Sequence, residues 1–339
     1  MNEPCPGAAP VESSPPPPPY HDRSTGLLVF GVLTILLGGL AALFAVLMLA
    51  QTVFGGAMNP PGAPSPSLNA MCVYVILAAA LVWLGIGSIQ ARRWARALLL
   101  VFSWSWLILG VVVLLFLMFF LPRVMESIPA GGAPGQPAVN RAAVGIAMVF
   151  VFLIFGVLFV ILPAVWTFFY NSRHVKATCE ARDPVARWTD ACPLPVLACC
   201  SWLMFGVPMM VIMPVTGQNV VPFFGVFLTG LPSAMYCLVM AALWAYAAWS
   251  LYKLETRGWW VVFIMICLMA ASTLTTFARH DVMEMYRLLN YSEVQIEQIQ
   301  KSGLLEGNRM SWMMLFCMLP FLGYLLFIRR YLRCPGGGK

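Results

Sequence analysis

Two stretches of the chain, Ser24 to Ala91 and Ala191 to Tyr252, contain no Asp, Glu, Lys, Arg or His. Each is far longer than the roughly 20 apolar residues that carry a helix across the hydrocarbon core of a bilayer. Each closes on a short basic turn, Arg92, Arg93 and Arg96 in the first case, Lys253 and Arg257 in the second. After each turn comes another uncharged span, an outer loop and a last apolar span ending in basic residues. Inside a bilayer every backbone amide must be bonded within the protein, and segments of this length achieve that as helices. Composition excludes a soluble fold: 10% of the residues are charged, against roughly 25% in a soluble domain.

The pattern predicts an all-α fold, a polytopic transmembrane helical bundle of eight spans. They fall near 27–50, 70–90, 97–121, 142–170, 194–215, 234–252, 258–278 and 310–328. Because the charge map is written twice, the bundle reads as two parallel four-helix repeats, 27–170 and 194–332, joined by a cytoplasmic linker at 171–193. Residue resemblances support the duplication. Ala70-Met71 and Ala234-Met235 open Ala-rich spans that pass Ser88 or Ser250 and end in a basic turn followed by Trp94 or Trp259. With an even number of spans per half, the second half enters from the same side as the first, and the repeat axis lies along the membrane normal.

Charge sets the orientation. Six of the 20 Lys and Arg residues (Arg123, Arg141, Arg279, Arg287, Lys301, Arg309) fall on one side of this arrangement and the other fourteen on the side of the termini. The excess places both termini in the cytoplasm. No run of Lys or Arg exceeds two residues, so the net charge of +7 matches anionic headgroups rather than nucleic acid. Residues 1–23 lack the basic and apolar regions of a signal peptide, leaving the first span to act as a retained signal anchor. Cys5, Cys179, Cys192 and Cys334 fall on the cytoplasmic side and the other six cysteines in spans, which suits reduced packing residues.

Two segments stand outside the bilayer. Residues 1–26 read as a disordered, Pro-rich cytoplasmic tail containing Pro17-Pro18-Pro19-Tyr20, a ligand pattern of WW modules that arises easily in any proline run. A short cytoplasmic tail, 333–339, closes the chain. On the outer side, 279–309 predicts a helical hairpin. Val282, Met285, Leu288 and Leu289 share one face, and Ser292-Glu293-Val294-Gln295 reads as a capping box for a second helix ending near Gly303. Asn290-Tyr291-Ser292 fits a glycosylation acceptor. Partners expected from this layout are the lipid bilayer and a protein docking on the Pro-rich tail or the outer hairpin.

None of the eight spans contains an ionisable side chain of Asp, Glu, Lys, Arg or His, which removes the groups that intramembrane proton relays and metal sites require. No catalytic, cofactor-binding or metal-binding set is read. The densest hydroxyl group in a span is Ser272, Thr273, Thr275 and Thr276, of which Ser272, Thr275 and Thr276 share a helical face. That face either lines a polar path for a neutral solute or returns its hydroxyls to i−4 carbonyls and a neighbouring helix, the commoner use. In the linker, His174, Cys179 and Cys192 offer three zinc ligand types without a Cys-x-x-Cys pair. His174 and Cys179 offer a base and a thiol five residues apart. An ordered hinge, with Arg182 and Arg187 offsetting Glu180, Asp183 and Asp190, explains the same residues more simply.

The linker also carries a resemblance. Val175-Lys176-Ala177-Thr178-Cys179-Glu180-Ala181-Arg182-Asp183-Pro184, followed by Trp188-Thr189-Asp190-Ala191-Cys192-Pro193-Leu194-Pro195-Val196-Leu197, resembles a signature of uncharacterised multi-pass bacterial inner-membrane proteins. The similarity extends to Thr276-Phe277-Ala278-Arg279 and Glu284-Met285-Tyr286. It implies a bacterial inner-membrane location and brings no assigned activity and no site residues. Two functions fit the sequence: a non-enzymatic accessory or scaffold component of the envelope, or a facilitator of an uncharged or lipophilic solute working between the two repeats.

Overall fold

The computed structural model describes residues 21–58, 68–127, 141–216, 219–289, 291, 293–301 and 309–332. The Pro-Pro-Pro-Tyr pattern, Cys5 and Cys334, the C-terminal tail, and parts of the glycosylation and capping-box motifs lie outside the described residues. The protein is mostly helical, with α1 (Ser24–Met58), α2 (Leu68–Ile89), α3 (Arg93–Ser127), α4 (Arg141–Gly156) and α5 (Leu162–Asn171) forming its first part. A short α6 (Arg173–Arg182) and a 3-10 turn (Trp188–Asp190) lead to α7 (Leu194–Val215), a hairpin of β1 (Val221–Phe223) and β2 (Val226–Leu228), α8 (Gly230–Tyr252) and α9 (Thr256–Phe277). Two short helices, α10 (Val282–Leu288) and α11 (Glu293–Lys301), precede α12 (Arg309–Leu332).

Among the described residues, seven helical stretches are long and apolar enough to cross a membrane, the fourth running through α4 and α5. These are the first seven segments expected from hydropathy, and α12 covers the eighth apolar segment. Exposed Leu, Val, Ile and Phe side chains coat the bundle, as a surface solvated by lipid requires.

Small residues decide where the helices touch. A Cβ on Gly31 would stand 2.9 Å from the Gly85 carbonyl oxygen, and one on Gly85 2.8 Å from that of Gly31, so α1 and α2 meet backbone to backbone. Ala41 and Ala45 are buried, whereas Ala42 faces outward. The contact stripe therefore runs through Gly31, Gly38, Ala41 and Ala45. Between α4 and α5 the helix widens into a π turn, Val157–Ile161, where the Leu162 amide reaches back to the Val157 carbonyl. Pro163 causes it: lacking an N–H, it leaves the Phe159 carbonyl without its i+4 donor. That carbonyl is turned toward α3, where a Cβ on Gly110 would collide with it.

The basic turns after α2 and α8 have one geometry. Ala91 (φ 51°) and Leu254 (φ 60°) each adopt the left-handed conformation. Ala91 and Arg92 bond the carbonyls of Ser88 and Gly87, and Leu254 and Glu255 those of Leu251 and Ser250, two Schellman caps. In this register Ser250 stands where Gly87 does, not where Ser88 does. The close approach across the turn is then met from opposite sides. A Cβ on Gly87 would meet the Ala95 Cβ at 2.6 Å, and one on Gly258 would meet the Ser250 Cβ at 3.0 Å.

Two apolar cores form near this end. One gathers Leu27, Leu84, Leu99, Trp166, Tyr170 and Cys179; the other gathers Cys192, Val196, Leu203, Leu251, Trp259 and Leu325. Trp259 is thus a core residue, while Trp188 and Trp260 are exposed. Helix α7 lies against α2 and α3. The Trp202 Nε1 donates to Ser105 Oγ at 2.8 Å, and Thr216 Oγ1 to Asn69 Oδ1 at 3.0 Å.

Candidate functional site

A polar arrangement joins two distant elements at the end of α9 away from the basic turns. Ser272, Thr276, His280 and Glu284 recur every four residues. Helix α9 stops at Phe277 because the Ala278 to His280 turn takes its last carbonyls. Asp281 then caps α10 by accepting from the Met283 amide. Opposite this column sits the tip of the β-hairpin. Its strands pair antiparallel, Phe223 with Val226, so Phe224 and Gly225 form a two-residue turn. Both have positive φ, 42° and 93°, as a type I′ turn demands.

Such a turn points its two central amides outward, and α9 supplies an acceptor for each. Phe224 N–H donates to Ser272 Oγ at 3.0 Å, and Gly225 N–H donates to Thr276 Oγ1 at 3.0 Å. Ser272 Oγ in turn donates to the Pro222 carbonyl at 2.9 Å, and Thr276 Oγ1 to its i−4 carbonyl at 2.8 Å. The Gly225 carbonyl lies 3.0 Å from His280 Nε2, and His280 Nδ1 lies 2.8 Å from Glu284 Oε2. A Cβ on Gly225 would meet the Arg279 guanidinium at 3.0 Å, so glycine is needed there for space as well as for φ.

Both partners of the His280 ring accept hydrogen bonds only, when Glu284 is ionised. A neutral imidazole has one N–H, so only the imidazolium completes both bonds. Its pKa moves accordingly: the Glu284 hydrogen bond, with help from the Gly225 carbonyl, raises it above the ordinary histidine value, against burial and the charge of Arg279. The clamp therefore responds to protons.

Of the hydroxyl face expected from sequence, Ser272 and Thr276 are brought together here and Thr275 is not. Thr275 is exposed and returns its hydroxyl to the carbonyls of Ala271 and Ser272. The hairpin occupies the face on which a solute path was conceivable. Sequence reasoning missed His280, Glu284 and Gly225, although the four-residue recurrence and a Phe-Gly step flanked by Val and Phe were there to be read. In the α10–α11 pair the buried residues among those described are Val282, Met283 and Ile296, with Leu288 exposed; the Asp281 cap fixes which face of α10 meets the bundle.

The linker forms a second polar centre at the opposite end. Asp183, 3% exposed, receives Arg187 at 2.7 Å and lies 3.9 Å from Arg92. Its carboxylate also accepts from the Arg93 amide that opens α3. The hydrogen bond from Arg187 holds its pKa below the usual range. Glu180 pairs with Arg93 and Lys176, Asp190 with Arg93, and Arg182 with Asp22 ahead of α1. The hinge expected from sequence is thus an ionic hub, and it reaches beyond the linker's own arginines. Tyr252 Oη at the end of α8 donates to the Trp188 carbonyl at 2.9 Å.

This hub separates the reactive residues. Cys179 lies in the first core and Cys192 in the second. Burial pushes the Cys179 thiol up to about 11, while His174 Nδ1 accepts from the His21 amide. Among the described residues no three His, Cys, Asp or Glu side chains converge as metal ligands. Cys72, Cys179, Cys192, Cys199, Cys200, Cys237 and Cys267 carry free thiols.

Comparison with protein-family models, with curated proteins and with solved structures finds no match. The site's own chemistry carries the functional reading.

Proposed function

We propose that this integral membrane protein is a non-enzymatic scaffold or accessory component of the cell envelope, acting through protein partners. One observation carries the reading: the hydroxyl face of α9 is spent on fixing a β-hairpin whose tip stays exposed. Phe223, Phe224 and Val226 at that tip are 38%, 46% and 51% exposed. An exposed apolar tip held by four polar contacts is a means of presenting a surface, whereas a solute path needs that polar face free. The alternative, a facilitator of an uncharged or lipophilic solute, draws support from the duplicated layout alone.

The duplication itself is part of the proposal: eight spans in two parallel repeats, with both termini cytoplasmic. The matched Schellman caps and the reciprocal Gly87/Ala95 and Ser250/Gly258 contacts support it. So do Tyr170, whose hydroxyl meets Ser88 and through it the Leu27 carbonyl, and Tyr324, which donates to the Pro195 carbonyl. Each tyrosine ties the fourth helix of its half to the start of the first. The inner-membrane location rests on the linker resemblance.

The test places a photocrosslinking amino acid at position 224 in native membranes. A scaffold gives discrete protein adducts that vanish when Ser272→Ala and Thr276→Val release the hairpin. Adducts to lipid alone, with solute flux through reconstituted vesicles, would replace this reading with the facilitator.

A further inference from the structure

At the end of the bundle that carries the basic turns, cations are held in two ways. Arg92, Arg93, Arg182 and Arg187 each lie within 4 Å of a carboxylate. Lys253, Arg329 and Arg330 instead lie over aromatic rings. Arg329 lies near two indoles, 4.8 Å from the Trp259 ring and 5.5 Å from Trp260. Among the described residues no ion pair engages Lys253, Arg257, Arg329 or Arg330. The one acid of this turn, Glu255, accepts from Ser250 Oγ at 3.0 Å and makes no side-chain cap on α9.

Beside Arg329 opens a cleft of about 140 Å³ lined by Thr256, Trp259, Trp260, Arg329 and Leu332. Its walls are fixed in place. Trp259 is 2% exposed, stacks on Phe263 at 5.0 Å, and donates its Nε1 to the Leu325 carbonyl at 2.6 Å. The cleft offers a guanidinium, a threonine hydroxyl and the first turn of a 22-residue helix, all of which favour an anion. Its remaining walls are apolar, and Trp260, 47% exposed, continues onto the outer surface of the bundle.

We propose that this cleft binds the phosphate of an anionic phospholipid, with the acyl chains running along Trp260. Arg329 and the Thr256 hydroxyl bind the phosphate oxygens, and the unneutralised Lys253, Arg257 and Arg330 select a lipid with net negative charge. A zwitterionic lipid brings its own cation and gains little from them. A free phosphate fills the anion position but leaves the apolar wall bare, which is why the lipid is the occupant. The site goes beyond the scaffold reading and does not depend on it, since it lies at the opposite end from the hairpin.

Native mass spectrometry of the full chain released from detergent tests this, with phosphatidylglycerol, phosphatidylcholine and inorganic phosphate as probes. The expected result is one retained phosphatidylglycerol, at least tenfold more abundant than phosphatidylcholine. Retention should fall about tenfold in Arg329→Gln and severalfold in Thr256→Val, an exposed position that leaves the packing of Trp259 intact. Arg92→Gln, whose residue is paired with Asp183, should keep it. Equal retention by the wild type and Thr256→Val overturns the site even if Arg329→Gln misfolds. Displacement of the lipid by millimolar inorganic phosphate overturns the lipid assignment in favour of a soluble anion.

Discussion

At His280 the demands of two neighbours favour the protonated ring. Because its pKa is raised in the fold, the clamp's contribution is fully present below the unfolded value of about 6.5. It is lost as pH rises through the higher folded value. The amides of Phe224 and Gly225 report this directly, since each donates to a hydroxyl of α9. Their hydrogen-exchange protection, corrected for intrinsic rates, should be greatest in mild acid and fall as pH rises. His280→Gln should remove the pH dependence, and Glu284→Gln should move the loss to lower pH. Protection that stays flat between about pH 5 and pH 9 would refute the imidazolium clamp. The Ser and Thr of this site were legible from helical spacing. Their partners were not, because Phe224 and Ser272 lie 48 residues apart and meet only once α8 has turned the chain back.

At the scale of elements, the π turn and its glycine make a matched pair. Gly110→Ala forces the Phe159 carbonyl out of its contact with α3 and should destabilise the protein by about 1–3 kcal/mol. Gly39→Ala, where a Cβ meets nothing within 4 Å, should instead gain up to about 1 kcal/mol through helix propensity. Equal effects in thermal unfolding would show that the π turn does not depend on Gly110. The helices themselves were legible, since runs of apolar residues ended by basic turns leave few alternatives. The β-hairpin was not. Three-residue strands are too short for an alternation signal, and what stabilises them is the docking of turn amides onto another element. Helix α6 was missed for a related reason: it is polar, and the residues that hold it, among them Ser172 at its cap and Thr178 under the Arg23 amide, read as loop.

For the whole molecule, the number of crossings sets which side the termini occupy. With eight spans, a reporter active only in the cytoplasm should be functional when fused after Lys339 and silent when inserted near residue 305. A silent C-terminal fusion would mean that α12 does not cross and that seven spans stand. Solvent explains what the sequence alone determined. Transfer of apolar side chains and satisfied backbone into lipid is a local property, summed residue by residue, so it fixes the membrane class, the helices and the basic turns without reference to partners. Only the tertiary structure decided how polar groups are spent: which hydroxyls clamp the hairpin, which arginines find carboxylates and which find indoles. Those outcomes depend on pairs far apart in the chain, whose energies exist only after the helices have packed.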